Sequence, residues 1–389
     1  MNVIKRIALG VALSICVVGC SKPPQKPAQK TPPVEVAGGE NAPVAPQPAQ
    51  GVSRTKPATP PNGPAHAALA ADDRLFANAT VLGNLAVYPV TSKSQADVGP
   101  LVSLDEALAK GDAEIKENGA GGTVNQLVID NKGKVPIFVL AGTVVKGGKQ
   151  DRQIGQDFII EPHKTTPVDA FCVEQGRWNG QRNGQVTNGK FSSTGIVATS
   201  KVRAAGQYKK SQGEVWSNVS ETNAANKKSS ASGTLMATID DPAIAKERAA
   251  LVAQIDAVLD AVSPKDDVVG VAYAIDGDVK GARWFAHHKV FEMNRKKVVA
   301  SIALDAITAR AEAKAAGRPA STKQAPPPSG VEAFVKNVEA EAVKEQRDTP
   351  AANVNEYKES SQGFGSKTMM KGTMGKPGAK PLSNDYLKK

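Results

Sequence analysis

Residues 135–152 read Val-Pro-Ile-Phe-Val-Leu-Ala-Gly-Thr-Val-Val-Lys-Gly-Gly-Lys-Gln-Asp-Arg, and residues 170–178 read Ala-Phe-Cys-Val-Glu-Gln-Gly-Arg-Trp. Val135 to Leu140 is apolar, long enough for a buried strand and too short for a typical helix. Ala141-Gly142 breaks it, Val144-Val145 restarts an extended segment, and Gly147-Gly148 supplies a pair that can take positive φ in a tight turn. Val168 to Val173 alternates, with Val168, Ala170 and Cys172 on one face. Short strands joined by tight turns predict an antiparallel β-rich core. Each strand delivers a polar cluster at its end: Lys149-Gln150-Asp151-Arg152 after the first, Glu174-Gln175-Gly176-Arg177-Trp178 after the second. Side by side at one sheet edge, two such clusters make a pocket whose cations suit a phosphate or carboxylate. The structural alternative has Asp151 pairing Arg152 or Arg177, with Trp178 capping the core.

Upstream, Met1 to Cys20 has the form of an export signal. Lys5-Arg6 is basic and Ile7 to Val18 is apolar but too short to span a bilayer. Val17-Val18-Gly19-Cys20 resembles a bacterial lipobox, which predicts a signal peptide over 1–19 and a lipid anchor on Cys20. Ser21 at the next position, by family knowledge, favours an outer-membrane lipoprotein facing the periplasm or the surface. Residues 20–66 read as a disordered tether: Ser21 to Ala65 holds twelve prolines and no Leu, Ile or aromatic residue, too little to bury a core. The 389-residue chain then holds one domain over 67–316, a linker and helix over 317–356, and a basic flexible tail over 357–389. That tail carries seven lysines against Glu359 and Asp385.

Within the domain, Gly83 to Val90, Ala113 to Lys116, Val124 to Ile129 and Asp157 to Glu161 read as strands. Ser103 and Glu106 form a capping box for a helix over Leu104 to Lys110, stopped by Gly111. Residues 179–233 read as an irregular excursion with one element near Val215. Asp241-Pro242 opens a long helix. Val268 to Ile275 and Asp278 to Phe285 form a hairpin around Asp276-Gly277. Val290 to Lys314 is a second long helix, and Ser329 to Glu332 caps a third with Val331, Phe334, Val335, Val338 and Val343 on its apolar stripe. The fold class is α+β, a sandwich-like antiparallel core followed by two long C-terminal helices, between a disordered N-terminal tether and a flexible C-terminal tail.

These motifs resemble the ARG and rhodanese-phosphatase-superfamily-associated protein domain, an uncharacterised family. The pieces that carry the resemblance are Ser103 to Gly111, Gly142 to Arg152, Cys172 to Trp178, Gly213 to Trp216 and the hairpin from Gly270 to Phe285, within about Leu75 to Ala311. By association, the resemblance implies a link to NAD and ADP-ribose metabolism, and so a nucleotide-like ligand.

The chemistry is spare. Cys16 leaves with the signal and Cys20 takes lipid, so Cys172 stands alone without a disulfide. With His163 as base it would be a nucleophile; the plainer reading is a small buried hydrophobe. His66 lies in the tether, and His287-His288 lacks a third ligand at zinc spacing, so no metal and no cofactor are expected. No nucleophile elbow, phosphate loop or dinucleotide fingerprint occurs. The net charge of +11 loses two with Lys5 and Arg6, leaving +9 on a mature chain. Aromatics do not interleave with the basic residues, so nucleic acid is not an expected partner. The expectation is therefore a membrane-anchored binding module. Its pocket is lined by Lys149, Gln150, Asp151, Arg152, Glu174, Gln175, Arg177 and Trp178, and its partner is a small anionic or nucleotide-like ligand, an anionic envelope polymer, or a protein. The alternative is a hydrolase in which Glu174 is the general base and Arg152 with Arg177 clamps phosphate.

Overall fold

A computed structural model describes residues 73–119, 122–318, 324–371 and 379–389, all within the unit His66–Lys389. The expected signal, Cys20 and the tether lie outside the described residues.

Ile137–Val139 lies between Phe158–Ile160 and Val102–Ser103 in a three-stranded sheet, and the segments that follow it in the chain help build a closed barrel, not a sandwich. Its six strands are Ala113–Glu117, Gln126–Asn131, Thr143–Gly147, Arg152–Ile154, Thr165–Cys172 and Lys190–Val197, each antiparallel to its neighbours. Closure removes the exposed edges that an open sheet of such short strands would present. Alternation sends Ile115, Leu127, Ile129, Val145, Ile154, Val168, Ala170 and Phe191 into one buried cluster.

The second body is a nine-stranded antiparallel sheet. Its path runs Leu75–Phe76, Leu85–Thr91, Val268–Ile275, Asp278–Phe285, Lys380–Lys388, Gly363–Met370, Asn353–Glu359 and Lys344–Asp348, with Thr80–Leu82 beside the second of these. Alternate residues serve opposite faces. Leu85, Val87, Val271, Tyr273 and Ile275 pack with the helices Pro242–Asp260 and His288–Ala315. Ala86, Tyr88, Val90, Trp284 and Tyr386 pack under Val331, Phe334, Val335 and Val338 of the helix Pro328–Ala340. Burying each such side chain contributes about 1.5–3 kcal/mol before ordering costs.

Several local expectations match. Ser103 Oγ accepts from the Glu106 N–H, and the helix Leu104–Lys110 ends at Gly111 with φ 77°. Asp241 accepts from the N–H groups of Ala243 and Ile244. Four expectations need correction. The long helices Pro242–Asp260 and His288–Ala315 do not close the fold, because the chain returns from them to the sheet. Residues 179–233 hold the strand Lys190–Val197 and the helices Ser200–Gln207 and Gln212–Ala225, hidden in sequence by their polar composition. The third helix starts at Pro328 behind Pro327, so Ser329 is not its cap, and Val343 is exposed beyond its end.

The largest correction concerns residues 357–389. Instead of a flexible tail, their described residues give strands near the middle of the sheet. Leu382, Tyr386 and Leu387 are buried, and Asp385 Oδ2 accepts from Arg203 and, at 3.1 Å, from Arg283. Of the lysines that suggested a tail, Lys358 and Lys367 pair with Glu339, and Lys380 and Lys388 are exposed at the two ends of one strand. A polar seam joins the nine-stranded sheet to the connection between Arg152–Ile154 and Phe158–Ile160: Asn353 Nδ2 and Asn355 Nδ2 each donate to the Asp157 carbonyl at 3.0 Å. Thr368 and Ser383 donate to the Asp157 carboxylate. Among the described residues no helix is long and apolar enough to cross a membrane.

Candidate functional site

At one end of the barrel the inward-facing positions stop being aliphatic. Arg152 lies opposite Cys172 on one side and Val145 on the other, and Glu117 follows Ile115 by two on its strand. The inward faces at this mouth therefore carry a guanidinium, a thiol and a carboxylate. The turn that delivers Arg152 requires its glycines. Gly147 has φ 138°, and a Cβ there would lie 2.2 Å from the Lys190 carbonyl. Gly148 has φ 43°, and a Cβ there would strike the Phe191 ring at 2.1 Å. Beyond the pair, Lys149 N–H donates to Glu117 Oε1 at 2.7 Å.

The two polar clusters meet. Asp151 N–H donates to Glu174 Oε2 at 2.9 Å, Val173 N–H to the Asp151 carbonyl at 2.9 Å, and Gln150 Nε2 to the Gln175 carbonyl at 3.2 Å. Half of the meeting place is filled. Arg177 Nε donates to both Glu174 oxygens at 3.0 Å, and Nη2 reaches Glu174 Oε2 at 2.7 Å and the Gly147 carbonyl at 3.0 Å. Its Nη1 donates to the Gly148 carbonyl at 2.8 Å. Asp151 accepts from Gly147 N–H, from Arg182 Nε at 3.1 Å and from Thr234 Oγ1 at 2.9 Å. Asp151, Glu174 and Arg177 are 0%, 3% and 8% exposed, so this part is a closed ion-paired network rather than a hollow.

Glu174 is consequently a poor general base. Burial raises its pKa, but hydrogen bonds from Arg177, Ser232 and the Asp151 N–H outweigh that and hold it below the ordinary glutamate value. Cys172 fares no better as a nucleophile. Burial pushes its thiol up to about 11, with Arg152 pulling the other way. His163 precedes the far end of the same strand, roughly 23 Å away along Thr165–Cys172 at the usual strand rise. No group of three or more His, Cys, Asp or Glu is placed to hold a metal ion among the described residues.

The other half of the meeting place is different. Arg152 is 0% exposed, and its Nη1 donates to the Gln150 carbonyl at 3.1 Å and to Gln150 Oε1 at 3.2 Å. Its Nε and Nη2 have no hydrogen-bond partner among the described residues. Those two N–H groups form the edge of a guanidinium that grips a carboxylate or phosphate side-on. The indole of Trp178, 45% exposed, lies 5.5 Å from the Arg152 Cζ and 5.4 Å from the Lys149 Nζ. Burial depresses the pKa of Arg152, while Cys172, Glu117 and Asp151 oppose that shift.

Of the residues singled out in sequence, Gln150 holds the Nη1 end of Arg152, and Trp178 lies against the Arg152 guanidinium and the Lys149 ammonium. Asp151, Glu174 and Arg177 are spent on one another, and Gln175 is exposed and gives its carbonyl to Gln150. Glu117, Arg182 and Thr234 were missed. Only Glu117 left a usable signal, the inward alternation of 113, 115 and 117.

A family model, the ARG and Rhodanese-Phosphatase-superfamily-associated Protein domain, ARPP-1, matches residues 75–375. No curated protein and no solved structure matches the chain.

Proposed function

The chain belongs to the ARG and rhodanese-phosphatase-superfamily-associated protein family, and from that premise we propose that its barrel mouth binds a small anionic ligand, of nucleotide or ADP-ribose type in the first instance. One observation carries the reading: Arg152 is wholly buried, and its Nε and Nη2 have no partner among the described residues. A buried donor left without a partner costs about 1–3 kcal/mol, and an anion accepting from both N–H groups removes that cost. The indole of Trp178 offers a face for a base or sugar ring. A small ligand is favoured over an envelope polymer because the donors are buried rather than spread over a surface. Binding, rather than hydrolysis, is favoured because Glu174 already holds Arg177 and the Asp151 N–H.

Thermal-shift and calorimetric titration with phosphate, AMP, ADP-ribose and citrate tests the site. We expect at least one to stabilise the protein, and Arg152→Met to abolish the response. An unchanged response in that variant, or none in the wild type, sinks the reading. The same reading keeps the domain in the cell envelope, held by lipid on Cys20, as the residues before Cys20 suggest. Cys20→Ser should then move the protein from the membrane fraction to the soluble one; persistence in the membrane fraction would remove the anchor.

A further inference from the structure

A second buried atom at the barrel mouth is also unfilled, and its chemistry is the opposite of the first. Glu117 Oε1 accepts from the Lys149 N–H at 2.7 Å, but Oε2 is buried without a hydrogen-bond partner among the described residues. Two glycines hem this carboxylate. A Cβ on Gly148 would stand 2.6 Å from Oε1, and one on Gly122 3.0 Å from Oε2. The Gly122 N–H turns back to the Gly119 carbonyl and does not serve Glu117. The turn that follows Gly148 links this carboxylate to Arg152: Lys149 gives its N–H to Glu117 Oε1, and the Lys149 Nζ and the Arg152 Cζ lie 5.4 and 5.5 Å from the one Trp178 ring.

Resting on the anion-binding reading above, we infer that Glu117 makes this site select anions that carry a hydroxyl or ammonium donor beside the anionic group. A bare anion can fill the Arg152 edge, but it brings its charge toward Glu117 and leaves Oε2 unsatisfied. A ligand with an adjacent O–H or N–H fills all three vacancies at once: Nε and Nη2 of Arg152 by its oxygens, Oε2 of Glu117 by its donor. Sugar phosphates, α-hydroxy acids and α-amino acids share that pattern.

The test is titration of the full chain with acetate, glycolate and glycine at matched ionic strength, read by calorimetry and thermal shift. We expect glycolate or glycine to bind at least about ten-fold tighter than acetate, the discrimination typical of a site whose buried polar atom would otherwise stay unpaired. Glycolate ahead identifies a hydroxyl donor, and glycine ahead an ammonium. Glu117→Leu should erase the advantage while acetate affinity holds or rises. Glu117→Gln, which keeps size and an acceptor, should retain preference for glycolate and lose any for glycine; it serves if the leucine variant does not fold. Acetate binding as tightly as both others in the wild type overturns the inference and leaves the anion site standing, as does an advantage that survives Glu117→Leu. Failure of acetate, glycolate, glycine and phosphate alike overturns both.

Discussion

Arg152 and Arg177 stand on neighbouring strand ends of one barrel and are in opposite states. Arg177 gives every guanidinium nitrogen to a carboxylate or carbonyl: Glu174, Asp151, Gly147 and Gly148 close around it. Arg152 is the more deeply buried of the two, yet two of its three nitrogens have no partner among the described residues. Burial alone therefore does not separate a structural arginine from a binding one. The degree of saturation separates them further: among the described residues Arg203 and Arg283, each ion-paired with Asp385, leave one buried nitrogen without a partner, whereas Arg152 leaves two adjacent ones and pairs with no carboxylate.

The comparison can be broken at its strong side first. Arg177→Ala leaves Glu174 and Asp151 buried with fewer partners. Removing one member of a buried ion-paired set should lower stability by about 3–5 kcal/mol in urea unfolding. A loss under about 1 kcal/mol, within the range of an exposed pair, would mean that the network is not structural. Arg152→Met should act in the opposite sense. With no small anions in the buffer it should raise stability by about 1–3 kcal/mol, because a methionine of similar length has no donors to leave unpaired. A fall of that size would show that Arg152 is a structural residue like its neighbour, and the distinction would collapse.

The smallest effect concerns pH. The folded-state pKa of Glu174 lies below its unfolded value of about 4.5. The carboxylate therefore contributes stability that is fully present above pH ~4.5 and is lost as pH falls through the folded pKa. Urea midpoints measured from pH 6 down to pH 3 should fall less steeply for Glu174→Gln than for the wild type. Parallel slopes would show that Arg177 does not depend on this charge.

Local structure was readable where its causes are local. The helix Leu104–Lys110 has its start in the Ser103 side chain and its stop in Gly111, a few residues apart. The hairpin Val268–Ile275 and Asp278–Phe285 is set by Asp276-Gly277, both at positive φ. The strand Lys380–Lys388 was unreadable because one partner strand, Asp278–Phe285, and the arginines that pair with its acid lie far up the chain. Asp385 looked like a stray acid among lysines until Arg203 and Arg283 reached it from far up the chain. The sandwich reading failed for a related reason. Strand alternation marks which side chains face inward, but not whether the sheet closes on itself.

The residues alone determined the strands around Ile137–Val139, Phe158–Ile160 and Thr165–Cys172 and the turn at Gly147-Gly148, because a glycine pair and an apolar run act within a few bonds; the strand Arg152–Ile154, read as a loop tip, came from its pairing with Thr165–Cys172. They also put a polar cluster after each of two strands. Only the tertiary structure decided which cations are consumed. Arg177 finds Gly147, Gly148 and Asp151 at 30, 29 and 26 positions' remove. Barrel closure turns Arg152 and Glu117 inward to a place where each keeps unfilled hydrogen-bonding capacity. Whether a charge is satisfied depends on the geometry of groups brought together by strand pairing, and local spacing does not encode that.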